Sequence, residues 1–292
     1  MSIIDLILVI LLGIVEGITE WLPISSTGHI ILVREFFSKY ANSTLQPDFF
    51  NMFDVVIQLG AIMAIVVIFF KRLVPIEYTN SELDFKNKVN IKNYTLSSDT
   101  CRDKWFLWIK VLIACVPAGI IGILFNDQIE TFFNTITIGI TLILYGILFI
   151  IIEKFNKKRE FKIDSISKMS YKVVIIIGLI QLLALIPGTS RSGVTILGAM
   201  LLSCDRTVAA EFSFFLSIPI MFGASLIKLL DFTFTSSSEL VLLLIGMFVS
   251  FIVSFFAVKA LMNFIKKHDF SIFGYYRIVL GIIVLILFGF VF

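Results

Sequence analysis

The stretch that decides the fold of this chain reads Gly13-Ile-Val-Glu-Gly-Ile-Thr-Glu-Trp-Leu-Pro-Ile-Ser-Ser-Thr-Gly-His-Ile-Ile-Leu-Val33. It places charged and hydroxyl side chains within an apolar sequence. Glu16 and Glu20 are four residues apart, so a helix brings both carboxylates to one face. Pro23 interrupts that helix, and the hydroxyl-rich turn 25–28 precedes a histidine. Ionisable groups at membrane depth are costly and usually mark a functional site. The stretch therefore predicts a broken helix that carries such a site.

The composition is that of a polytopic membrane protein. Of 292 residues, 58% are hydrophobic and 15% are charged, and 31 are phenylalanine. A soluble globular domain is much less apolar than this. The net charge of +3 is small and arises in the loops, which favours a membrane topology and excludes a nucleic-acid partner. The three cysteines are odd in number and widely spaced, so they fit neither a disulfide framework nor a zinc site.

A membrane-spanning helix needs about 20 apolar residues. Six segments meet that length, namely 49–70, 105–125, 135–152, 208–229, 239–263 and 274–291.

Two further apolar regions are each broken into two pieces. Residues 2–22 are followed by a short piece, 27–37, and residues 173–186 are followed by 193–203. Helices interrupted at membrane depth are tolerated only where protein or a water-filled cavity surrounds the freed backbone. We therefore expect two re-entrant helical hairpins, 2–37 and 173–203, beside the six transmembrane helices.

The distribution of lysine and arginine tests this topology. The loops 71–104, 153–172 and 264–272 are basic, whereas 126–134 and 230–238 contain neither residue. With six spans and two hairpins that return to their own side, all basic loops fall on one face, which should be cytoplasmic. The first hairpin then enters from outside the cell and the second from inside.

An internal repeat agrees with this topology. A shift of 165 residues places Gly13 on Gly178 and Ser25 on Ser190, and it also aligns the residues that follow each break. Each half is then one hairpin followed by three spans. Because three spans leave the chain on the opposite side of the membrane, the second half is inverted relative to the first. We expect one membrane domain, 1–292, built from two inverted repeats, 1–152 and 173–292, with 153–172 as a cytoplasmic linker. In such proteins the broken helices build the site.

The second break offers donors for an anion. Arg191 keeps its charge, and its planar guanidinium suits bidentate contact with phosphate oxygens. Thr189, Ser190 and Ser192 add hydroxyls beside backbone amides at a half-helix N-terminus.

The first break offers acidic groups and an imidazole. Glu16 and Glu20 would repel an anion unless a hard cation such as Mg²⁺ or Ca²⁺ lay between them. His29 titrates near neutrality. Together the two breaks predict phosphoryl chemistry, although a structural ion pair between Arg191 and one of the glutamates is an open alternative.

Two ordered motifs carry a resemblance to a known family. They are Glu16-x-x-x-Glu20 with Pro23-x-Ser-Ser-Thr-Gly-His29, and Pro187-Gly-x-Ser-Arg-Ser-Gly193. The chain resembles undecaprenyl-diphosphate phosphatases of the bacitracin-resistance type, and the resemblance extends over nearly the whole chain. It implies a bacterial cell-membrane enzyme that removes one phosphate from a C55 isoprenoid diphosphate, recycling the carrier for peptidoglycan synthesis. It further implies use of a divalent cation, and bacitracin resistance on overproduction.

The resemblance and the residue chemistry together assign the roles. Catalytic roles are expected for Glu16, Glu20, Ser26, His29 and Arg191, with Glu16 and Glu20 also holding the metal. Substrate-binding roles are expected for Ser25, Thr27, Thr189, Ser190, Ser192 and the span residue Gln58. The nucleophile is Ser26, His29 or an activated water, and Ser26 with His29 as its base is preferred. The site should open to the extracytoplasmic side.

Two other readings compete. Acid-phosphatase-like lipid phosphatases need a second histidine motif, and the only other histidine, His268, lies in the wrong context. A lipid-phosphate transporter or flippase would share the inverted repeat and the anion site, and phosphate release in detergent discriminates it from an enzyme. The expected partners are undecaprenyl diphosphate and the lipid bilayer, and a homodimer is left open.

Overall fold

The computed structural model describes residues 2–40, 43, 45–75, 77–78, 94–95, 99–125, 128–129, 131–132, 134–157 and 159–290. This part of the chain is helical except for loops and one antiparallel pair of two-residue strands, β1 (Glu77–Tyr78) and β2 (Tyr94–Thr95). The all-α prediction is therefore confirmed. Most of the basic loop 71–104, including Lys86, Lys88 and Lys92, lies outside the described residues.

Twelve α-helices are described, together with a 3-10 helix over Gln181–Leu185 that follows the eighth. They are α1 (Ile3–Thr19), α2 (Ser26–Tyr40), α3 (Pro47–Val56), α4 (Gln58–Ile68), α5 (Phe70–Leu73), α6 (Asp99–Leu124), α7 (Thr135–Asn156), α8 (Tyr171–Ile180), α9 (Arg191–Leu201), α10 (Arg206–Asp231), α11 (Ser237–Ile265) and α12 (Ser271–Phe290).

Five of the six predicted spans coincide with helical segments that are long and apolar enough to cross a membrane. These are Pro47–Ile68, Cys101–Leu124, Thr135–Asn156, Arg206–Asp231 and Ser237–Ile265. The first of them consists of α3 and α4, which meet at Ile57. The sixth predicted span lies in α12, where the apolar segment Ser271–Leu287 is shorter. The described part of the chain is thus helical apart from one short strand pair, and it contains several apolar helices of membrane-spanning length.

Both predicted breaks are present, and both use the same local geometry. Ser25 and Ser190 have positive φ angles of 73° and 69°, a left-handed conformation that costs a non-glycine residue about 1–2 kcal/mol. Each serine hydroxyl accepts a hydrogen bond from the amide three residues later, Gly28 N at 3.4 Å and Gly193 N at 3.2 Å. The hydroxyl thereby satisfies a free donor at the start of α2 or α9. One serine in each half therefore both forms the sharp turn and caps the helix that follows it.

Glycines allow the helices around the breaks to approach closely. A Cβ on Gly13 of α1 would lie 2.7 Å from the carbonyl oxygen of Gly246 in α11. In the same way, a Cβ on Gly146 of α7 would lie 2.7 Å from the carbonyl oxygen of Gly274 in α12. Small residues at such crossings are typical of helix packing in membranes, where van der Waals contact replaces the hydrophobic effect. These two pairs pack α1 closely against α11 and α12 closely against α7.

A buried ion pair joins the ends of three elements. Glu153 of α7 is fully buried and receives two hydrogen bonds from Arg206, at the start of α10, at 2.9 and 2.6 Å. The backbone amide of Phe270, just before α12, donates to the same carboxylate at 2.9 Å. This carboxylate sets where α10 and α12 begin relative to α7.

Candidate active site

The two breaks meet in space. The Ser192 hydroxyl, at the start of α9, donates to the backbone carbonyl of Glu20 at 2.9 Å, and the Arg191 Nη2 donates to Glu20 Oε1 at 2.9 Å. These residues are more than 170 positions apart in the sequence, with separations of 172 and 171. The predicted acidic group and the predicted guanidinium therefore belong to one site.

Arg191 is mostly buried and is held from two sides. Its Nη2 contacts Glu20, and its Nη1 donates to the backbone carbonyl of Ser213 in α10 at 2.8 Å. Its Nε is buried and makes no hydrogen bond with any described residue. The ion pair that the sequence analysis left open as an alternative is thus present in this structure, and it leaves part of the guanidinium unused.

Both oxygens of the Glu20 carboxylate are engaged. Oε1 accepts from Arg191, and Oε2 accepts from the Ser26 hydroxyl at 2.9 Å. The predicted pairing of Ser26 with His29 is not the arrangement in this structure, because the hydroxyl of Ser26 points to Glu20. A carboxylate that accepts the hydroxyl hydrogen bond can also accept the proton, so Glu20 is in position to act as the base.

Glu16 differs from Glu20 in having no partner. Its side chain is fully buried, and neither carboxylate oxygen makes a hydrogen bond within the described part of the chain. Glu20, Asp54 and Arg191 are the charged groups that act on it electrostatically. A buried carboxylate without partners is strongly disfavoured, so this group calls for a cation or a proton.

Asp54 is an acidic residue near this site that the sequence analysis missed. Its Oδ2 accepts from Arg34 Nη1 of α2 at 2.6 Å, while its buried Oδ1 has no partner among the described residues. The guanidinium of Arg34 also lies 4.9 Å from the ring centroid of Phe50. The signal that could have identified it is a carboxylate within the predicted span 49–70.

The residues fit a divalent cation only in part. Among the described residues, no three His, Cys, Asp or Glu side chains are arranged to hold a metal ion by themselves. The unpartnered carboxylate of Glu16 nevertheless offers two free oxygens. Mg²⁺ is commonly bound by one or two carboxylates and completes its shell with substrate phosphate oxygens and water. The donor set fits a cation that enters with the phosphate.

His29 is held by two groups, neither of which is the Ser26 hydroxyl. Its Nδ1 lies 2.7 Å from the backbone carbonyl oxygen of Ser25, and its Nε2 lies 2.7 Å from the hydroxyl of Tyr276 in α12. The two rings stack at 10° with their centroids 5.6 Å apart. Tyr276 was not predicted, and nothing local in the sequence distinguishes it from Tyr275.

Arg277 joins the two turns directly. It is fully buried, its Nη1 donates to the Pro23 carbonyl at 3.2 Å, and its Nη2 donates to the Gly188 and Thr189 carbonyls at 2.9 and 3.0 Å. The sequence analysis also missed this residue, although an arginine inside the predicted span 274–291 is the same signal that identified Glu16. Its guanidinium fixes the distance between the first and the second break.

The other predicted residues lie as follows. The hydroxyls of Ser190 and Ser192 are 3.2 Å apart in the second turn, where Thr189 is fully buried. Thr27 is half-buried in the first turn of α2. Gln58 is half-buried at the start of α4, and no described contact links it to either turn.

An apolar groove begins at the His29–Tyr276 pair. The first cavity has a volume of about 400 Å³ and is lined by Val15, Ile18, Thr19, Leu22, Ile24, His29, Ile272, Phe273 and Tyr276. A second cavity of about 580 Å³ shares Ile18, Leu22 and Phe273 with it and continues along α11 as far as Phe264. The site therefore combines anion donors and carboxylates with an apolar groove, a combination suited to a lipid phosphate.

Comparison with known proteins gives a consistent result. Residues 9–283 match the profile of the family described as bacitracin resistance protein BacA. The chain is 55% identical to the undecaprenyl-diphosphatase of Acetivibrio thermocellus, over 97% of this chain and 98% of the relative. It is 52% identical to the undecaprenyl-diphosphatase of Enterococcus faecalis, over 97% of both chains. It is 49% identical to undecaprenyl-diphosphatase 1 of Clostridium acetobutylicum, over 98% of both chains. The chain belongs to the bacitracin resistance protein BacA family.

Proposed function

We propose that this protein hydrolyses undecaprenyl diphosphate to undecaprenyl phosphate and inorganic phosphate, and so recycles the lipid carrier used in peptidoglycan synthesis. The observation that carries the proposal is the convergence of Arg191, Glu20 and Ser26 at the junction of the two breaks. The relatives with identities near 50% over nearly their whole length are named for this activity. Bacitracin resistance follows because faster removal of the lipid diphosphate leaves less of it for bacitracin to bind.

We propose that the chain crosses the bacterial cell membrane six times, and that α1–α2 and α8–α9 are re-entrant hairpins of two inverted repeats. The matching φ angles of Ser25 and Ser190, which the 165-residue shift superimposes, support the repeat. The one-sided distribution of basic loops supports a site that opens to the extracytoplasmic side.

In the proposed mechanism, the terminal phosphate lies at the junction of the two turns. Arg191 contacts its oxygens, and the hydroxyls of Ser190 and Thr27 donate further hydrogen bonds, while Ser192 holds the two turns together through its bond to the Glu20 carbonyl. Because Arg191 already pairs with Glu20, the incoming phosphate replaces a carboxylate oxygen at part of the guanidinium. Once this exchange has taken place, the donors are fixed by the two turns and stabilise the charge that develops in the transition state.

The proposed nucleophile is the Ser26 hydroxyl. As Oγ forms a bond to the terminal phosphorus, the bond between that phosphorus and the bridging oxygen breaks, and undecaprenyl phosphate leaves. The proton of Ser26 passes to Glu20 Oε2, which already accepts its hydrogen bond. Water then hydrolyses the phosphoserine and releases inorganic phosphate. Direct attack by water or by His29 is the alternative, and phosphate trapped on Ser26 distinguishes them.

A divalent cation, Mg²⁺ or Ca²⁺, is part of the proposal. Glu16 would hold it, because the buried oxygens of Glu16 have no partner among the described residues. Glu20 would join it through Oε1 once the incoming phosphate replaces that oxygen at Arg191. When bound, the cation would neutralise charge on the phosphate oxygens as the transition state forms.

The proposal is tested by phosphate release from undecaprenyl diphosphate by the purified protein in detergent. Arg191→Ala and Ser26→Ala should lower the rate by about 100-fold or more, the usual loss when a transition-state donor is removed. Arg159→Ala is the matched control, because that arginine donates one bond at the surface, to the Leu201 carbonyl. Near-normal release by Arg191→Ala would refute the site.

The same assay separates an enzyme from a transporter. Detergent removes any gradient, so release there requires hydrolysis, whereas no release in detergent combined with lipid movement in vesicles would indicate transport. The mass of the active species in detergent decides between a monomer and a homodimer.

A further inference from the structure

The imidazole of His29 is fixed at both ring nitrogens. Nδ1 is 2.7 Å from the Ser25 carbonyl oxygen, and Nε2 is 2.7 Å from the Tyr276 hydroxyl. The two rings are also nearly parallel, with an interplanar angle of 10° and centroids 5.6 Å apart. Few orientations of this side chain retain all three contacts.

These contacts determine where the ring proton lies. A carbonyl oxygen only accepts hydrogen bonds, so Nδ1 must carry the proton and donate it to Ser25. In the neutral ring Nε2 is then an acceptor, and the Tyr276 hydroxyl must be the donor. For the neutral imidazole, the two contacts thus select the Nδ1–H tautomer.

We propose that Tyr276 is a positioning residue for His29, which it holds in the Nδ1–H tautomer by donating to Nε2 at the polar end of the groove between α1 and α12. This inference rests on the proposed function, because it gives the imidazole its place in that reaction. Tyr276 is itself 46% exposed and lines the groove beside His29, so substrate can reach the pair.

The site is thereby divided into two sides. Ser26, Glu20 and Arg191 face the junction of the turns, whereas His29 and Tyr276 form the polar end of an apolar groove. A proton that His29 takes from substrate or water enters at Nε2 when the Tyr276 hydroxyl turns its own proton away, and that hydroxyl oxygen then accepts the new Nε2–H. Tyr276 thus holds the imidazole at the groove, which is the lipid side of the diphosphate in the proposed reaction.

The tautomer is measurable because the chain has only two histidines. The exposed His268 is replaced in a His268→Asn background, so that ¹⁵N-histidine labelling reports His29 alone in detergent micelles. We expect one protonated nitrogen, Nδ1, and one unprotonated, hydrogen-bonded nitrogen, Nε2. In Tyr276→Phe, the Nε2 resonance should move toward that of an unbonded ring nitrogen, while Tyr275→Phe leaves it in place. A proton on Nε2 in the background protein, or the same resonance in both tyrosine variants, overturns the inference.

Kinetics supply the second readout. Tyr276→Phe should lower kcat for phosphate release by about tenfold, the effect of one lost hydrogen bond on a reacting group, with KM changed less than about twofold. Tyr275→Phe, at the neighbouring exposed tyrosine, should match the wild type. Equal kcat values for the two variants contradict the positioning role. Absence of release by the wild type would instead refute the proposed function, because the NMR readout does not depend on turnover.

Discussion

Arg277→Met tests whether one buried guanidinium holds the two turns together. The substitution keeps a long side chain of comparable reach and removes the charge with all of its donors. Three backbone carbonyls, those of Pro23, Gly188 and Thr189, lose their hydrogen bonds at 3.2, 2.9 and 3.0 Å. Because the side chain is fully buried, water does not replace these bonds without opening the core.

The magnitude follows from the number of bonds. A hydrogen bond from a charged donor contributes about 1.5–3 kcal/mol, so three of them set an upper range of roughly 4–9 kcal/mol. The substitution also removes the cost of burying a charged group, which offsets part of this loss. We expect the free energy of unfolding to fall by about 4 kcal/mol in total. That corresponds to a fall of roughly 10 °C in the unfolding midpoint. Phosphate release should fall by at least about tenfold, because a small misplacement of reacting groups is costly.

The assay is thermal unfolding of the detergent-solubilised protein, paired with phosphate release at a temperature where both variants are folded. Arg277→Lys should recover only part of the loss, since a single ammonium lacks the planar fork that reaches both turns. Arg159→Met is the control, because Arg159 donates one bond at the surface. If Arg277→Met unfolds and turns over like Arg159→Met, the two turns are not held by this residue.

Three further predictions address the turn, the buried ion pair and the cation. Gly188→Ala should lower the unfolding midpoint by several degrees, because φ is +82° there and a Cβ would lie 2.8 Å from the Ile138 carbonyl oxygen. Glu153→Ala should destabilise by about 3 kcal/mol, because Arg206 and the Phe270 amide lose their common partner. Glu16→Gln should raise the cation concentration needed for half-maximal phosphate release by about tenfold, since one charged ligand is lost.

Each of these has a matched control. Gly223→Ala should be neutral, because no atom lies within 4 Å of a Cβ built there. Asp164→Asn removes a surface ion pair with Lys168 and should leave the midpoint unchanged. Glu160→Gln alters an exposed carboxylate and should not affect the cation dependence. A variant that behaves like its control refutes the corresponding reasoning, as does full activity in the presence of a chelator.

The helical membrane class and both breaks were predictable because their causes are local. Apolar length determines which segments form membrane helices, and the proline at 23 and the Pro187-Gly188 pair end helices wherever they occur. The serines at the turns act through their own neighbouring amides. Glu16, Glu20 and Arg191 stood out because charged groups in apolar helices are costly whatever surrounds them.

The partners of these groups were decided by the tertiary structure. Glu20 meets Arg191 across 171 residues, His29 meets Tyr276 across 247, and Arg277 reaches Pro23 across 254. No periodicity in the chain encodes such distances, because they depend on how the helices cross. For this reason the sequence indicated which side chains could carry out phosphoryl transfer, whereas only the fold decided that Ser26 pairs with Glu20 and that His29 faces the groove.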